Sequence, residues 1–387
     1  MLNEIVIDSP EEKKYQELLN ARTDAESARM RRFMAMPDLS RTRTSPLYEL
    51  AQKITSLPVF DGFSVVKVPE IVPASQSFDL FDFPPNHPAR SKSDTYYVTT
   101  GETNEPNAQI LRTHCTVSWY YYFTSQYAKE KMAKGESLGV LTYGKVYRKD
   151  EIDSRHMNVF HQMDGYFIQP RSKGEITQKD LENVLSQVIE TVFGKNTKYR
   201  FNKDTFPYTD PSLEVEVMIG EKWVEILGSG VIKGSVLEKL GVDSKQYTGW
   251  AFGFGLERLA IIGMELPDIR LLWSTDPRVQ KQLKLGTKYK EVSKYPAITR
   301  DISFIVPKTF IPNNYFDLIR DIVGDMAEEV SLIDKYENDK KFGADKMSYA
   351  YRIVYRSTDR TLKTEEVEPI QNKVIEETKK QFGAEVR

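Results

Sequence analysis

Cysteine is almost missing from this chain. Cys115 stands alone among 387 residues, so neither an internal disulfide nor a thiolate cluster can form, and a reducing compartment is expected. Four histidines leave little room for a histidine-based metal site. No apolar run approaches the ~18 residues that a membrane span needs. An excess of one charge is missing too: 54 Lys plus Arg against 56 Asp plus Glu gives a formal net charge of −2. That balance excludes a globally basic coat for nucleic acid and leaves a local basic face open. What is present suits a folded protein, with 40% hydrophobic and 28% charged residues, well away from disorder. At ~150 residues per domain the length predicts two or three domains. The expectation is a soluble, intracellular, multidomain protein without membrane contact.

The N-terminus does not read as a targeting signal, because Glu4, Asp8, Glu11, Glu12 and Glu17 crowd a stretch that transit peptides keep poor in acids. Residues 22–43 then turn basic, with Arg22, Arg29, Arg31, Arg32, Arg41 and Arg43. Two readings fit residues 1–45: a solvated helical extension, or an arm that touches a polyanion.

Ser45-Pro46 reads as an N-cap followed by proline at the first helical position, and Leu47, Leu50, Ala51, Ile54 and Leu57 give that helix one apolar face. Val65 to Pro69 is a short strand, residues 73–95 an irregular loop, and Thr116 to Met132 a long amphipathic helix. From Leu138 strands dominate: 140–148 and 158–168 are joined by a polar loop. Thr177 and Asp180 form a capping box for a helix that runs to Gly194. Leu213, Val215, Val217 and Ile219 alternate with polar residues before a Gly220-Glu221 turn into Trp223–Leu227. Gly253 and Gly255 are expected to open a helix. Hairpin-paired strands with segregated helices predict an α+β fold around an antiparallel sheet. Residues 276–293 read as a charged linker. The following strand–helix–strand–strand–helix–strand order in 294–387 fits a ferredoxin-like α+β domain.

Three constellations carry chemistry. Gly253-Phe-Gly-Leu-Glu-Arg258 lacks the third glycine of a dinucleotide fingerprint, but an arginine one helical turn in can reach a triphosphate; packing glycines are the plain alternative. Arg148-Lys-Asp150 ends one strand, and Phe160 and Gln162 lie on the returning one. A hairpin so brings a cation, an aromatic plate and an amide into one pocket, unless it is an ordinary salt-bridged hairpin. Glu214, Glu216 and Glu225 sit on neighbouring strands; Mg²⁺ takes one or two carboxylates beside phosphate oxygens, and Glu225 is the preferred candidate.

Taken together these segments resemble a family. Val65-Val-Lys-Val-Pro69-Glu, Val146-Tyr-Arg148-Lys-Asp150 with Val159-Phe160-His-Gln162, and Ala251-Phe-Gly-Phe-Gly-Leu-Glu-Arg258-Leu are similar to motifs 1, 2 and 3 of the class II aminoacyl-tRNA synthetases. Ser77-Phe-Asp-Leu, His87-Pro-Ala-Arg90, Leu111-Arg-Thr-His114, Phe206-Pro-Tyr208-Thr-Asp-Pro211 and Pro267-Asp-Ile-Arg270-Leu resemble the phenylalanyl-tRNA synthetases within that class. Lys294-Tyr-Pro-Ala-Ile-Thr-Arg-Asp301-Ile and Tyr351 to Arg356, with Arg360-Thr-Leu, resemble their ferredoxin-fold anticodon-binding domain. Having both on one chain matches the monomeric, mitochondrial-type enzymes. The implied domains are a catalytic domain over 46–275 and an anticodon-binding domain over 294–387. A matrix location follows from that type, with bacterial cytoplasm as the alternative.

The resemblance implies a ligase that activates L-phenylalanine with Mg²⁺-ATP and charges the terminal adenosine of tRNA(Phe). A paralogue for another aromatic amino acid, or a non-catalytic tRNA-binding derivative, are the rival readings. By that resemblance Arg148 neutralises the α-phosphate, Phe160 and Arg258 sandwich the adenine, Asp150 lies near its amino group and His156 near the distal phosphates. His114, Thr116, Gln162 and Asp164 meet the amino acid's polar end, while Phe206, Tyr208 and Ala251 line its ring pocket. Thr116, Asp164 and Tyr208 stand where serine, glutamate and phenylalanine are commoner. Strand alternation puts Arg352 and Arg356 on one face, extended by Arg360 and Lys363 as a tRNA-binding set. Residues 294–387 hold 16 basic and 17 acidic side chains, so RNA affinity must come from that local patch and fall steeply with salt.

Overall fold

The computed structural model describes residues 2–99, 107–149, 153–357 and 359–387. It divides into two compact units, Met1–Tyr289 and Lys290–Arg387. The first contains strands β1 (Asn3–Val6), β2 (Ser64–Lys67), β3 (Ile71–Pro73), β4 (Gln109–Leu111), β5 (Leu138–Tyr147), β6 (Val159–Pro170), β7 (Tyr199–Asp204), β8 (Thr209–Ile219), β9 (Lys222–Ile232) and β10 (Tyr247–Gly255). Eight of them form one sheet in the order β1-β2-β5-β6-β10-β9-β8-β7, and β3 pairs with β4. From β5 to β7 every neighbour is antiparallel, as the hairpin pattern predicts. The other edge departs from that expectation, because β1, β2 and β5 run parallel and make the sheet mixed. Parallel neighbours need a crossover, and the helices Pro10–Ala21, Ala25–Ala35 and Pro46–Thr55 supply it between β1 and β2.

Local signals explain most elements. Ser45 Oγ accepts the Leu47 N–H at 3.1 Å, and Leu47, Leu50, Ala51 and Ile54 are buried along one side of the helix that follows. Thr177 and Asp180 close the expected capping box on Gln178–Phe193, which buries Leu181, Val184, Leu185, Val188 and Ile189. The helix expected over 116–132 is instead broken: Ser118–Phe123 and Gln126–Ala133 are separate. The Ser125 hydroxyl takes the Ala128 N–H at 3.3 Å and starts the second helix afresh, a competition typical of hydroxyl side chains. Trp119 and Phe123 are buried, whereas Tyr127 is 41% exposed.

The first 45 residues are neither a solvated appendage nor a free basic arm. β1 extends the main sheet, and Leu19, Met30 and Phe33 are buried. Much of the arginine is used internally. Arg22 donates to the Val98 carbonyl, Arg31 to the carbonyls of Leu19 and Arg22, and Arg41 pairs with Glu4. Residues 276–289 also pack with the first unit, because Val279, Leu283 and Tyr289 are buried beneath their charged neighbours.

The second unit has β11 (Ile298–Pro307), β12 (Ala327–Tyr336), β13 (Lys346–Tyr355) and β14 (Glu385–Val386) in the order β12-β13-β11-β14, all antiparallel. Helices Pro312–Val323 and Thr364–Phe382 cover one face. Phe304, Tyr315, Tyr351, Ile353, Val367 and Val374 form the core. The first of these helices ends at Val323. Gly324 adopts φ +60° and turns the chain before β12.

Candidate active site

β6 carries Phe160, Gln162 and Asp164 at alternate positions, so all three share one face of the sheet. Its neighbour β10 sets Gly255 opposite Gln162, Gly253 opposite Asp164 and Ala251 opposite Tyr166. Two glycines keep this face open. A Cβ at Gly253 would come within 2.8 Å of the Asp164 carboxylate, and one at Gly228 on β9 within 2.7 Å of the Phe206 ring. Gly253 and Gly255 therefore end the strand that forms the floor, and Gly255 is at the same time the N-cap that opens the helix Leu256–Met264, as expected. Arg258 lies in its first turn.

Two cavities open above this floor. The larger, about 1050 Å³, is bounded by Arg148, His156, Phe160 and Arg258 together with Glu225 and Gly255. The smaller, about 310 Å³, is bounded by His114, Thr116, Gln162, Asp164, Phe206, Tyr208 and Ala251. Arg148, Gln162, Glu225, Gly228 and Gly253 belong to both, so the two chambers meet at a shared wall. Asp150 lies outside the described residues.

In the larger chamber the Arg148 Nε donates to the Thr113 carbonyl at 3.0 Å, and its guanidinium sits 5.2 Å from the Phe160 ring centre. Arg258 donates to the Glu225 carbonyl at 3.3 Å and is half exposed. His156 Nδ1 lies 2.8 Å from Asp153 on the hairpin loop, and that loop is tied down by the Ile269 N–H, which donates to the Ser154 carbonyl at 2.8 Å. An aromatic plate, two guanidiniums and an imidazole so surround a space large enough for a nucleotide.

The smaller chamber is apolar along its walls and polar at its rim. Phe81, Phe83, Trp119, Phe206 and Tyr208 meet edge-to-face or stacked, with Phe81 and Tyr208 centres 6.0 Å apart. Thr116 donates its hydroxyl to Asp164 at 2.7 Å. Burial pushes the Asp164 carboxyl up to about 7, against the pull of Thr116 and Arg148. His114 is held near 4 by burial and by the Arg148 cation, so its imidazole is neutral at neutral pH. Its Nε2 lies 2.9 Å from the Ser77 carbonyl and must carry the proton, which leaves the buried Nδ1 an acceptor with no partner among the described residues. The Cys115 N–H, donating to Gln162 Oε1 at 3.2 Å, turns the amide nitrogen of Gln162 the other way. A neutral acceptor, a carboxyl and an amide donor beside an aromatic box suit a small guest with an ammonium, a carboxylate and a planar ring.

The acidic trio does not converge. Glu214 and Glu216 accept from Asn202, and Glu216 also from Arg200, on the β7 side. Glu225 alone reaches the shared wall. Among the described residues no group of three or more His, Cys, Asp or Glu side chains is placed to hold a metal ion. In the second unit Arg352 pairs with Asp301, Arg356 with Glu328 and Arg360 with Glu366, while Lys363 lies beside Glu366 through its backbone N–H. Tyr351, Ile353 and Tyr355 occupy the opposite, buried face.

Sequence reasoning missed several residues. Phe81, Phe83 and Trp119 wall the smaller chamber; the first two stand in the Pro- and Asp-rich stretch read as loop, where large aromatics were the available signal. It also missed His161 and Glu257, a buried pair next to Phe160 and Arg258. Glu257 falls on the buried side of its helix with Leu256 and Ala260, and that position was the clue.

Comparison with known proteins identifies the family of both units. Residues 33–283 match the class II core domain (F) of the tRNA synthetases, and residues 293–387 the ferredoxin-fold anticodon binding domain. The chloroplastic/mitochondrial phenylalanine–tRNA ligase of Arabidopsis thaliana is 39% identical over 328 residues, covering 82% of this chain and 71% of its own. The mitochondrial phenylalanine–tRNA ligase of Mus musculus is 34% identical over 85% of this chain and 76% of its own, and that of Saccharomyces cerevisiae 32% over 85% and 83%. The chain belongs to the phenylalanine–tRNA ligases, class II aminoacyl-tRNA synthetases that carry the catalytic core and a ferredoxin-fold anticodon-binding domain on one polypeptide.

Proposed function

We propose that this protein activates L-phenylalanine with ATP and passes the acyl group to the terminal adenosine of tRNA(Phe). The observation that carries the reading is the shared wall between a nucleotide-sized chamber and an aromatic box with a polar rim. Phenylalanine in the smaller chamber would place its ring among Phe206, Tyr208 and Ala251 and its ammonium by Asp164, Thr116 and the acceptor nitrogen of His114. ATP in the larger would place adenine between Phe160 and Arg258, with His156 toward the distal phosphates. The two substrates then meet at Arg148. A carboxylate oxygen bonds to the α-phosphorus, the bond from that phosphorus to the bridging oxygen breaks, and pyrophosphate leaves with the electron pair. Negative charge grows on the α-phosphoryl oxygens, and a guanidinium already fixed there stabilises it without rearrangement. Mg²⁺ travelling with the nucleotide would withdraw charge from the phosphate oxygens, and a single carboxylate at the junction, Glu225, fits an ion that keeps waters and phosphate oxygens for its other positions.

For tRNA, the Arg352, Arg356, Arg360 and Lys363 face of the second unit is the proposed contact. Arg352 and Arg360 are about half exposed in their ion pairs, and such surface pairs are worth only ~0–1 kcal/mol. Exchanging a carboxylate partner for a phosphate therefore costs little. The organelle names of the relatives favour the mitochondrial matrix, and a monomer is the expected state.

Amino-acid-dependent ATP–pyrophosphate exchange across the twenty amino acids tests the reading. Phenylalanine should drive exchange, and Arg148→Ala should abolish it in a folded protein. Faster exchange with another aromatic amino acid would overturn the substrate assignment, and near-normal exchange by Arg148→Ala the role of that arginine.

A further inference from the structure

β6 and the helix Leu256–Met264 each carry one plate of the nucleotide chamber, Phe160 and Arg258. The residues next to those plates, His161 and Glu257, turn away from solvent and toward each other. His161 is fully buried and Glu257 is 3% exposed. The Glu257 carboxylate accepts the His161 backbone N–H at 2.8 and 3.0 Å from its two oxygens and lies 2.7 Å from the ring Nδ1. On the far side of the ring the Leu39 N–H donates to Nε2 at 2.9 Å. Nε2 is then an acceptor, so the ring proton sits on Nδ1 and is donated to Glu257. Asp38, 3.4 Å from Nε2, meets a lone pair there and makes no ion pair with it.

We propose that Glu257 and His161 are positioning residues that set the separation of Phe160 and Arg258, and thereby the fit of the adenine between them. The inference rests on the adenine site proposed above. One side-chain carboxylate in the first turn of the helix grips the strand backbone at the residue between Phe160 and Gln162. Sliding or tilting the helix against β6 breaks bonds that have no solvent to replace them. Packing alone does not call for this arrangement, since a well-fitted apolar pair holds a strand and a helix together as firmly as buried charged and polar groups. A hydrogen-bonded pair adds a fixed distance and direction.

The test uses the full chain in ATP–pyrophosphate exchange, with each KM and kcat measured separately and melting followed in parallel. Glu257→Gln keeps the size but turns an amide NH₂ toward one of two N–H donors. It should raise the KM for ATP about tenfold while the KM for phenylalanine stays within about twofold. His161→Asn retains a side-chain N–H for Glu257 and gives up the bond to Leu39, and it should keep a KM for ATP close to that of the parent. Phe160→Ala is the reference and should raise the KM for ATP by itself. If Phe160→Ala does so while Glu257→Gln lowers only the melting temperature, the pair is merely structural and the inference falls while the adenine site stands. If Phe160→Ala leaves the KM for ATP unchanged, the adenine site falls and takes the inference with it. Should Glu257→Gln fail to fold, Glu257→Asp retains both oxygens one methylene further back. It must show the same selective rise, and an unchanged KM for ATP overturns the proposal.

Discussion

Asp164 is a carboxyl group with almost no water around it, 4% exposed and titrating near pH 7. In the free protein it opposes folding at higher pH: raised above its unfolded value, it contributes stability that is present below about 4 and lost by about 7. An ammonium bound beside it reverses the preference and favours the carboxylate. Below neutral pH the acid must therefore release a proton before it can pair. Phenylalanine affinity is expected to fall as pH drops from about 8 to about 6, by at most about tenfold per unit, with a smaller change for ATP. Titration calorimetry at several pH values checks this, and Asp164→Asn should flatten the dependence. Ala251 lines the same chamber and, in the proposed pose, meets the other end of the guest. Ala251→Gly removes the only side-chain carbon at that position and should admit para-chlorophenylalanine in exchange assays; unchanged rejection would move the pocket floor elsewhere. At this scale most of the polar residues were legible only through the resemblance of their segments to a known family. The aromatic walls Phe81 and Phe83 were not, because a segment rich in proline and aspartate gives no periodicity from which to read which ring turns inward. The His161–Glu257 pair escaped for a related reason: its meaning lies in a contact between residues 96 positions apart.

Strand β10 and its glycines show how an element shapes the site. Gly253 faces Asp164 so closely that any Cβ would press on the carboxylate at 2.8 Å. Gly253→Ala should raise the KM for phenylalanine more than the KM for ATP, at nearly constant stability, as read from steady-state exchange and thermal melting. Equal effects on both substrates would mean that the strand itself had shifted. Strands, caps and the ferredoxin order could be read from alternation and capping residues, since both depend on neighbours in sequence. One element assignment went astray where a local competitor overruled periodicity: Ser125 offers its hydroxyl to the backbone and splits one helix into two. The Gly253–Gly255 pair was legible in part, since Gly255 caps the helix Leu256–Met264 as read while both glycines also lie in β10. The parallel edge β1-β2-β5 was beyond reach from patterning alone, because a strand's alternation says nothing of the direction of its neighbour.

The whole molecule is two units with separate cores. Residues 276–289 look like linker by composition, yet they bury Val279, Leu283 and Tyr289 in the first. A fragment ending at Tyr289 is therefore expected to keep phenylalanine-dependent exchange and to lose most tRNA charging, measured with the same preparation; loss of both activities would show that the second unit supports the first. The shared wall between the two chambers also bears on inhibition. Separate ligands for the two spaces each give up translational and rotational freedom on binding, whereas one molecule that spans both gives it up once. A non-hydrolysable mimic of the acyl-adenylate, reaching past Arg148 from one chamber into the other, gains this chelate advantage without any new contact. Potent blockers of this protein should accordingly be long and bipartite, with an anionic or strongly accepting bridge facing Arg148 where the phosphoryl group would lie.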